Sequence, residues 1–173
     1  MKPLRTLLLF AAAVALLSAQ QFKFNLEHLA SKASDSVDLS LNGATLQFAA
    51  RFLSSKDSDE SKVKKMIASL EGIYIRTFEF KNAGAYTPAD LDSVRQQLRG
   101  PDWSRIVGVK SGQDNENAEI YLRNEKQKIT GVAILVSGPK ELTIVNIVGP
   151  VDLDALASLG GHLGIPKVDI PKH

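Results

Sequence analysis

Four segments in the second half of the chain are predicted as β-strands, at residues 103–111, 118–123, 129–136 and 142–148. Apolar residues alternate with polar ones most cleanly in the second segment, where Ile120 and Leu122 share one face, and this spacing is typical of β-strands. The polar loops "NEKQK" and "SGPK" between the last three segments are short enough for antiparallel hairpins. This half of the chain therefore predicts an antiparallel sheet.

Two segments of the first half are also predicted as strands. The segment "IYIRTFEF" at residues 73–80 is rich in β-branched and aromatic residues. The segment "SVDLSL" places Val37, Leu39 and Leu41 on one face. Both are expected to join the sheet.

Helical spacing, with apolar residues three and four positions apart, predicts several helices. The clearest predicted helix follows the polar run "SSKDSDESK". Its apolar face consists of Val63, Met66, Ile67 and Leu70. Asp57 and Glu60 give that helix a start that resembles a capping box. Thr87, Pro88 and Asp90 predict the start of a helix that ends at Leu98. Further helices are predicted for residues 23–33, 44–53 and 152–160.

These elements together predict an α+β domain, an antiparallel sheet of about five strands with helices packed mainly on one face. No internal repeat or low-complexity linker divides the sequence. We therefore expect a signal peptide at residues 1–19, a single domain at 20–165 and an extended C-terminal tail at 166–173.

The last predicted strand is apolar on both sides. Leu142, Ile144 and Val148 share one side, and the opposite side carries Val145 and Ile147. Central strands that are covered on both faces have this composition, so we expect mainly internal burial. The alternative is an uncovered apolar area near Val145 and Ile147, which would favour a partner or ligand site.

A binding surface, if this alternative holds, would include Val145, Asn146, Ile147 and Asp152. Asn146 lies within the apolar run and needs hydrogen-bond partners if it is buried. Asp152 is the expected cap of the C-terminal helix. These four residues are the binding site that the sequence suggests.

Residues 1–19 have the layout of a secretory signal peptide. Lys2 and Arg5 precede an apolar run, and Ala19 is the expected cleavage position. The run is shorter than the roughly 20 residues that a membrane-spanning helix needs. The mature protein is therefore expected in the periplasm or the extracellular space.

The signal segment also carries the excess of positive charge. The chain has 21 Lys and Arg residues against 19 Asp and Glu residues, and Lys2 and Arg5 account for the difference. A domain with balanced charge lacks the basic field that gives nonspecific affinity for nucleic acid. We therefore expect no nucleic-acid partner.

The sequence contains no cysteine. Disulfides, thiolate metal sites and cysteine nucleophiles are therefore excluded. A lipid-modified cysteine is excluded as well, so we expect no covalent membrane anchor.

Residues with catalytic or metal-binding chemistry are few. His28, His162 and His173 lack the paired spacing of a zinc protease, and no sulfur ligand accompanies them. The sequence has no G-x-S-x-G motif, no Gly-rich phosphate loop and no complete calcium loop. Asp152 and Asp154 are typical of a helix start. We therefore expect no catalytic residue, metal site or cofactor, and a protein that is not an enzyme.

The sequence also resembles a bacterial family. The segments "LEGIYIRTFEF" and "AEIYLRNEKQKITGVAILVSGPKELTIVNIVGPVDLDALASL", with Trp103 opening a strand between them, resemble the domain of unknown function 4252. The matching positions are Gly131, Glu141, Val145, Asn146, Gly149, Asp152 and Leu153. The resemblance implies an exported or lipid-anchored α+β envelope domain with no established activity, cofactor or catalytic residue. This chain lacks the cysteine of the lipid-anchored members.

These observations lead us to expect an exported, non-catalytic interaction or binding domain of the bacterial envelope. Another envelope protein is the expected kind of partner. A periplasmic carrier of a small apolar ligand or lipid is the alternative. A hydrolase would instead need a cleft in which histidine, acid and hydroxyl side chains converge. The oligomeric state is left open by the sequence.

Overall fold

The computed structural model describes residues 25–53, 58–112 and 115–153. The predicted signal peptide, the Asp57 cap, the C-terminal helix beyond Leu153 and the C-terminal tail lie outside these residues. The elements are, in chain order, α1 (Glu27–Ala30), β1 (Asp35–Asn42), α2 (Gly43–Ala50), α3 (Ser58–Ser69), β2 (Gly72–Glu79), a 3₁₀ turn (Pro88–Leu91), α4 (Asp92–Gln97), β3 (Trp103–Lys110), β4 (Asn117–Glu125), β5 (Lys128–Ser137) and β6 (Glu141–Val148).

The strands form one antiparallel sheet in the order β1-β2-β6-β5-β4-β3. Within the described residues the sheet has six strands instead of the predicted five or so, and the α+β class is confirmed. The last four strands follow one another as hairpins, and β6 returns to lie beside β2. As a result β6 is central, while β1 and β3 are the two edges.

Apolar side chains alternate between the two faces of this sheet. The first face carries Val145 and Ile147 of β6, and it packs with the buried side chains of α2 and α3. The second face carries Leu142 and Ile144, and it packs with α1, the 3₁₀ turn and α4. Burial of the last strand on both sides is thereby confirmed.

Helices thus contribute to both apolar clusters, and the prediction that they pack mainly on one face was wrong. The reason lies in the connections. The pair α2 and α3 joins β1 to β2, while the 3₁₀ turn and α4 carry the chain from β2 across the sheet to β3. Each connection buries its apolar stripe on the face that it crosses.

Local sequence explains where these helices begin. The Asn42 side chain accepts hydrogen bonds from the Thr45 backbone N–H at 3.0 Å and from the Thr45 hydroxyl at 3.1 Å, which caps α2. The Asp90 carboxylate accepts from the Thr87 N–H at 2.7 Å and from its hydroxyl at 2.9 Å. The predicted helix start at Thr87 is therefore confirmed, although its first turn is 3₁₀.

Candidate functional site

The residues that the sequence suggested for a binding surface do not lie together on the surface. Val145, Asn146 and Ile147 are each at most 1% exposed. Val145 and Ile147 lie in the first-face cluster, and Asn146 lies on the opposite face between Tyr74 and Ala133 of the neighbouring strands. An uncovered apolar area at Val145 and Ile147 is therefore ruled out. Asp152 alone of the four is exposed.

Asp152 lines a groove between α3 and the segment that follows β6. The groove has a volume of about 560 Å³. Its rim carries Lys62 and Lys65 of α3 and Lys128 at the start of β5. We call it the lysine groove, and its other lining residues are Met66, Ser69, Gln127, Ile129, Pro150, Val151 and Asp152.

The floor of the lysine groove is apolar. Met66 is buried, and Ile129 and Val151 are half-buried and pack against the first-face cluster. The Val151 N–H donates to the Ile129 carbonyl at 3.1 Å, and the Gly149 N–H donates to the Thr130 carbonyl at 3.0 Å. These hydrogen bonds hold the segment that follows β6, which forms one wall of the groove, against β5.

The charges at the rim favour an anion. Lys62 and Lys65 are one helical turn apart, so their ammonium groups project from the same side of α3. Lys128 approaches from the sheet, and Asp152 is the one acidic residue among the described residues that line the groove. An apolar floor beneath a basic rim can hold a molecule with an apolar body and a negatively charged end.

A second, smaller pocket of about 250 Å³ lies beside Tyr86, Arg95 and Asn117. Its main polar groups are already engaged. The Tyr86 hydroxyl donates toward the carbonyls of Gly138 and Glu141, and burial raises the pKa of Tyr86 above its ordinary value. Arg95 binds Glu119, as described next. This pocket is therefore a weaker candidate than the lysine groove.

A polar cluster on the second face links α4 to the sheet. The Glu119 Oε1 atom accepts from Arg95 Nη2 at 2.7 Å and from Nε at 3.1 Å. The other oxygen accepts from the Tyr121 hydroxyl at 2.6 Å and lies 3.9 Å from the Arg105 guanidinium. Both carboxylate oxygens are thus engaged.

These contacts shift the pKa values of both acidic groups in the cluster. Burial raises the pKa of Glu119, but the hydrogen bonds from Tyr121 and Arg95 and the nearby positive charges outweigh it, so that the pKa lies below its ordinary value. Burial, followed by the hydrogen bond to Glu119, raises the pKa of Tyr121. The carboxylate stays charged and hydrogen-bonded, which suits a structural link better than proton transfer.

His28 contacts an acid that also binds a hydroxyl. The His28 Nε2 atom lies 2.8 Å from Asp90 Oδ1, while the Thr87 hydroxyl donates to the other Asp90 oxygen. The Asp90 carboxylate therefore lies between the His28 imidazole and the Thr87 hydroxyl. A nucleophilic triad needs the imidazole in the middle, where it can take the proton of the hydroxyl. The hydrogen bond from the Thr87 backbone N–H is the main cause of the lowered pKa of Asp90. This carboxylate therefore acts as a helix cap.

Metal-binding and membrane-spanning features are absent from the described ranges. No group of three or more His, Cys, Asp or Glu residues there could hold a metal ion. In the same part of the chain, no helix is both long and apolar enough to cross a membrane.

Residues 29–159 match the domain of unknown function 4252. The chain belongs to this family. The match to the domain of unknown function 4252 includes all six described strands and every described residue that lines the lysine groove. No curated protein matches the sequence.

Proposed function

We propose that this member of the domain of unknown function 4252 is an exported, non-catalytic binding domain of the bacterial envelope. We further propose that the lysine groove binds a small anionic amphiphile, such as a fatty acid or an alkyl phosphate. The observation that carries the proposal is the lysine groove itself, in which three lysines surround a floor of Met66, Ile129 and Val151.

The dimensions of the groove support a small ligand. Its volume of about 560 Å³ is within the roughly 300–1,000 Å³ typical of small-molecule sites. The apolar floor would bury the hydrocarbon part, at about 0.8 kcal/mol per buried methylene group. The lysines would bind the anionic end, because a charge-assisted hydrogen bond is stronger than a neutral one.

The absence of catalysis is supported by the polar clusters of the described residues. Glu119 has both oxygens engaged by Arg95 and Tyr121. Asp90 separates His28 from the Thr87 hydroxyl. The predicted signal peptide supports export.

Calorimetric titration of the processed chain, residues 20–173, tests this proposal. Dodecyl phosphate should bind with micromolar affinity, and dodecanol at the same free concentration should bind at least about tenfold more weakly. Lys65→Glu should weaken binding of dodecyl phosphate, while Lys140→Glu, at an exposed hairpin position outside the groove, should not. Equal binding by both variants would refute the groove as the site.

A protein partner is a second candidate function, and a different surface favours it. Phe48 and Phe52 on and just after α2 are 60% and 76% exposed, and their rings form an edge-to-face pair with centroids 5.1 Å apart. Exposed aromatic side chains are enriched in protein interfaces. Another envelope protein is the proposed partner.

A cross-linking experiment in envelope extract separates this candidate from the first. A partner that uses the aromatic pair should be lost with the double variant Phe48→Ser and Phe52→Ser. The same partner should be retained by Lys65→Glu. Loss of the partner with both variants, or with neither, would contradict a separate protein-binding surface.

A further inference from the structure

The two edges of the sheet differ in how they are protected. The register of β3 against β4 shifts between Arg105 and Val107, which leaves Ile106 as a bulge, and β3 ends at Lys110. Bulges, prolines and charged side chains, lysine above all, are the usual features that prevent an edge from pairing with another strand. By contrast, β1 pairs with β2 in one unbroken register over eight residues and contains no lysine, arginine or proline.

Hydrogen bonding shows which backbone groups of β1 point outward. The Phe80 N–H donates to the Lys140 carbonyl and continues the register of β2 with β6. Even-numbered residues of β2 therefore bond to β6 and odd-numbered residues bond to β1. The Glu79 carbonyl, which accepts from the N–H and the hydroxyl of Ser34, agrees with this assignment.

By the same alternation, Ser36, Asp38 and Ser40 of β1 direct their backbone N–H and C=O groups away from β2. The Ser36 N–H donates to the Asp35 carboxylate at 2.8 Å instead of to a strand. The outer edge of β1 therefore presents donors and acceptors with the spacing of a strand that can take a partner.

Side chains on β1 also separate into two kinds. Val37, Leu39 and Leu41 point to the first face, and Val37 is 53% exposed. Ser36, Asp38 and Ser40 point to the second face, where the Asp38 carboxylate pairs with Arg76 at 3.0 Å. From Val37 to Leu41 one side of the edge is apolar, and on the other side the charge of Asp38 is compensated.

We propose that β1 is a homodimer interface, at which it pairs antiparallel with β1 of a second copy in a register centred on Leu39. In this register Val37 lies opposite Leu41 of the second copy, and Leu39 lies opposite its own equivalent. Asp38 lies opposite Ser40 of the second copy, and Ser36 lies opposite Asn42. The outward backbone groups of Asp38 and Ser40 bond to each other, and the two sheets become one.

The alternation of backbone groups also permits a register centred on Asp38. That register would place the two Asp38 carboxylates directly opposite each other, which is unfavourable. The register centred on Leu39 places no two like charges opposite each other, and it pairs all three apolar side chains of β1. Charge and hydrophobic complementarity therefore select it. This inference stands on the strand edge alone and is independent of the lysine groove.

Sedimentation velocity on the processed chain, residues 20–173, over a range of concentrations tests the dimer. The wild type should sediment as a dimer in the micromolar range. Ser40→Asp places a second carboxylate opposite Asp38 at two sites in each dimer and should weaken dimerisation about tenfold, whereas Ser40→Lys should not weaken it. Ser40 is exposed, so both variants should keep the wild-type circular dichroism spectrum.

A backbone variant gives a second measurement. Ser40→Pro removes an outward N–H without removing a bond to β2, so it should produce a folded monomer. Lys110→Pro on β3 is the matched control, because the Ser111 N–H bonds to β4 and directs Lys110 outward. It should leave the dimer intact. A monomeric wild type would overturn the inference, and so would a dimer that responds equally to Ser40→Asp and Ser40→Lys.

Discussion

Arg95 on α4 donates two hydrogen bonds to one carboxylate oxygen of Glu119 on β4, at 2.7 and 3.1 Å. The Glu119 side chain is only 12% exposed. This pair fixes α4 to the second face of the sheet next to the apolar contacts of Val94 and Leu98. It also shows why a charged side chain on an inner strand need not indicate catalysis.

Loss of the Glu119 charge should destabilise the fold. Glu119→Gln removes the closest counter-charge of the partly buried Arg95 guanidinium, and we expect a loss of about 2 kcal/mol in the free energy of unfolding. Urea denaturation measures this loss. Glu116→Gln, at an exposed position, should change stability by less than about 0.5 kcal/mol. Equal effects of the two substitutions would contradict a structural role for the pair.

The lowered pKa of Glu119 predicts a pH dependence. A carboxyl group whose pKa is lower in the folded state stabilises the fold fully above its ordinary pKa of about 4.3. That contribution is lost as the pH falls through the lower folded pKa. The melting temperature of the wild type should therefore fall below about pH 4, and Glu119→Gln should show a shallower fall. If the melting temperatures of the wild type and of Glu119→Gln fall in parallel with pH, the acid sensitivity comes from other groups, such as Asp90.

Gly149 should tolerate no side chain. Its φ angle is +119°, and a Cβ atom would lie 2.8 Å from the Glu71 nitrogen and 3.0 Å from the Leu70 Cα atom. We expect Gly149→Ala to cost about 3 kcal/mol or more. Gly84 has a φ of +81° but no atom within 4 Å of its Cβ position, so Gly84→Ala should cost only about 1 kcal/mol. Thermal unfolding of both variants checks the difference.

Val145→Glu should prevent stable folding instead of blocking a partner. Its side chain is fully buried in the first-face cluster, and an uncompensated buried carboxylate costs several kcal/mol. Val109→Glu, at a position that is 56% exposed on β3, should fold normally. Soluble expression and circular dichroism distinguish the two. A folded Val145→Glu protein would contradict the burial of the central strand.

The sequence predicts those parts of the fold that depend on local spacing. Met66 and Ile67 of α3 and Leu70 just after it are buried as predicted, and Val63 is half-buried. A helical stripe is a local property, which is why the sequence shows it. The strands from Trp103 onward lie where the sequence predicts them, although the bulge at Ile106 interrupts the alternation of β3. The two-sided composition of β6 likewise indicates burial on both faces.

Tertiary relationships are not encoded in local spacing. Which face a helix covers depends on the crossover that carries it, so the spacing alone did not show that helices lie on both sides. The lysine groove was missed for the same reason, since Lys128 is far along the chain from Lys65. The sequence does show two lysines one helical turn apart beside Met66, which indicates a basic patch on the helix. The third lysine, Lys128, joins them only because β5 packs near α3.

Nuclear magnetic resonance with a ¹⁵N-labelled processed chain tests the central claim most directly. Dodecyl phosphate should shift the amide signals of residues that line the lysine groove, above all Met66, Ile129 and Val151. These shifts should saturate with added ligand, and Lys65→Glu should weaken them. Shifts spread over the protein surface, or confined to the region of Phe48 and Phe52, would contradict the groove as the binding site.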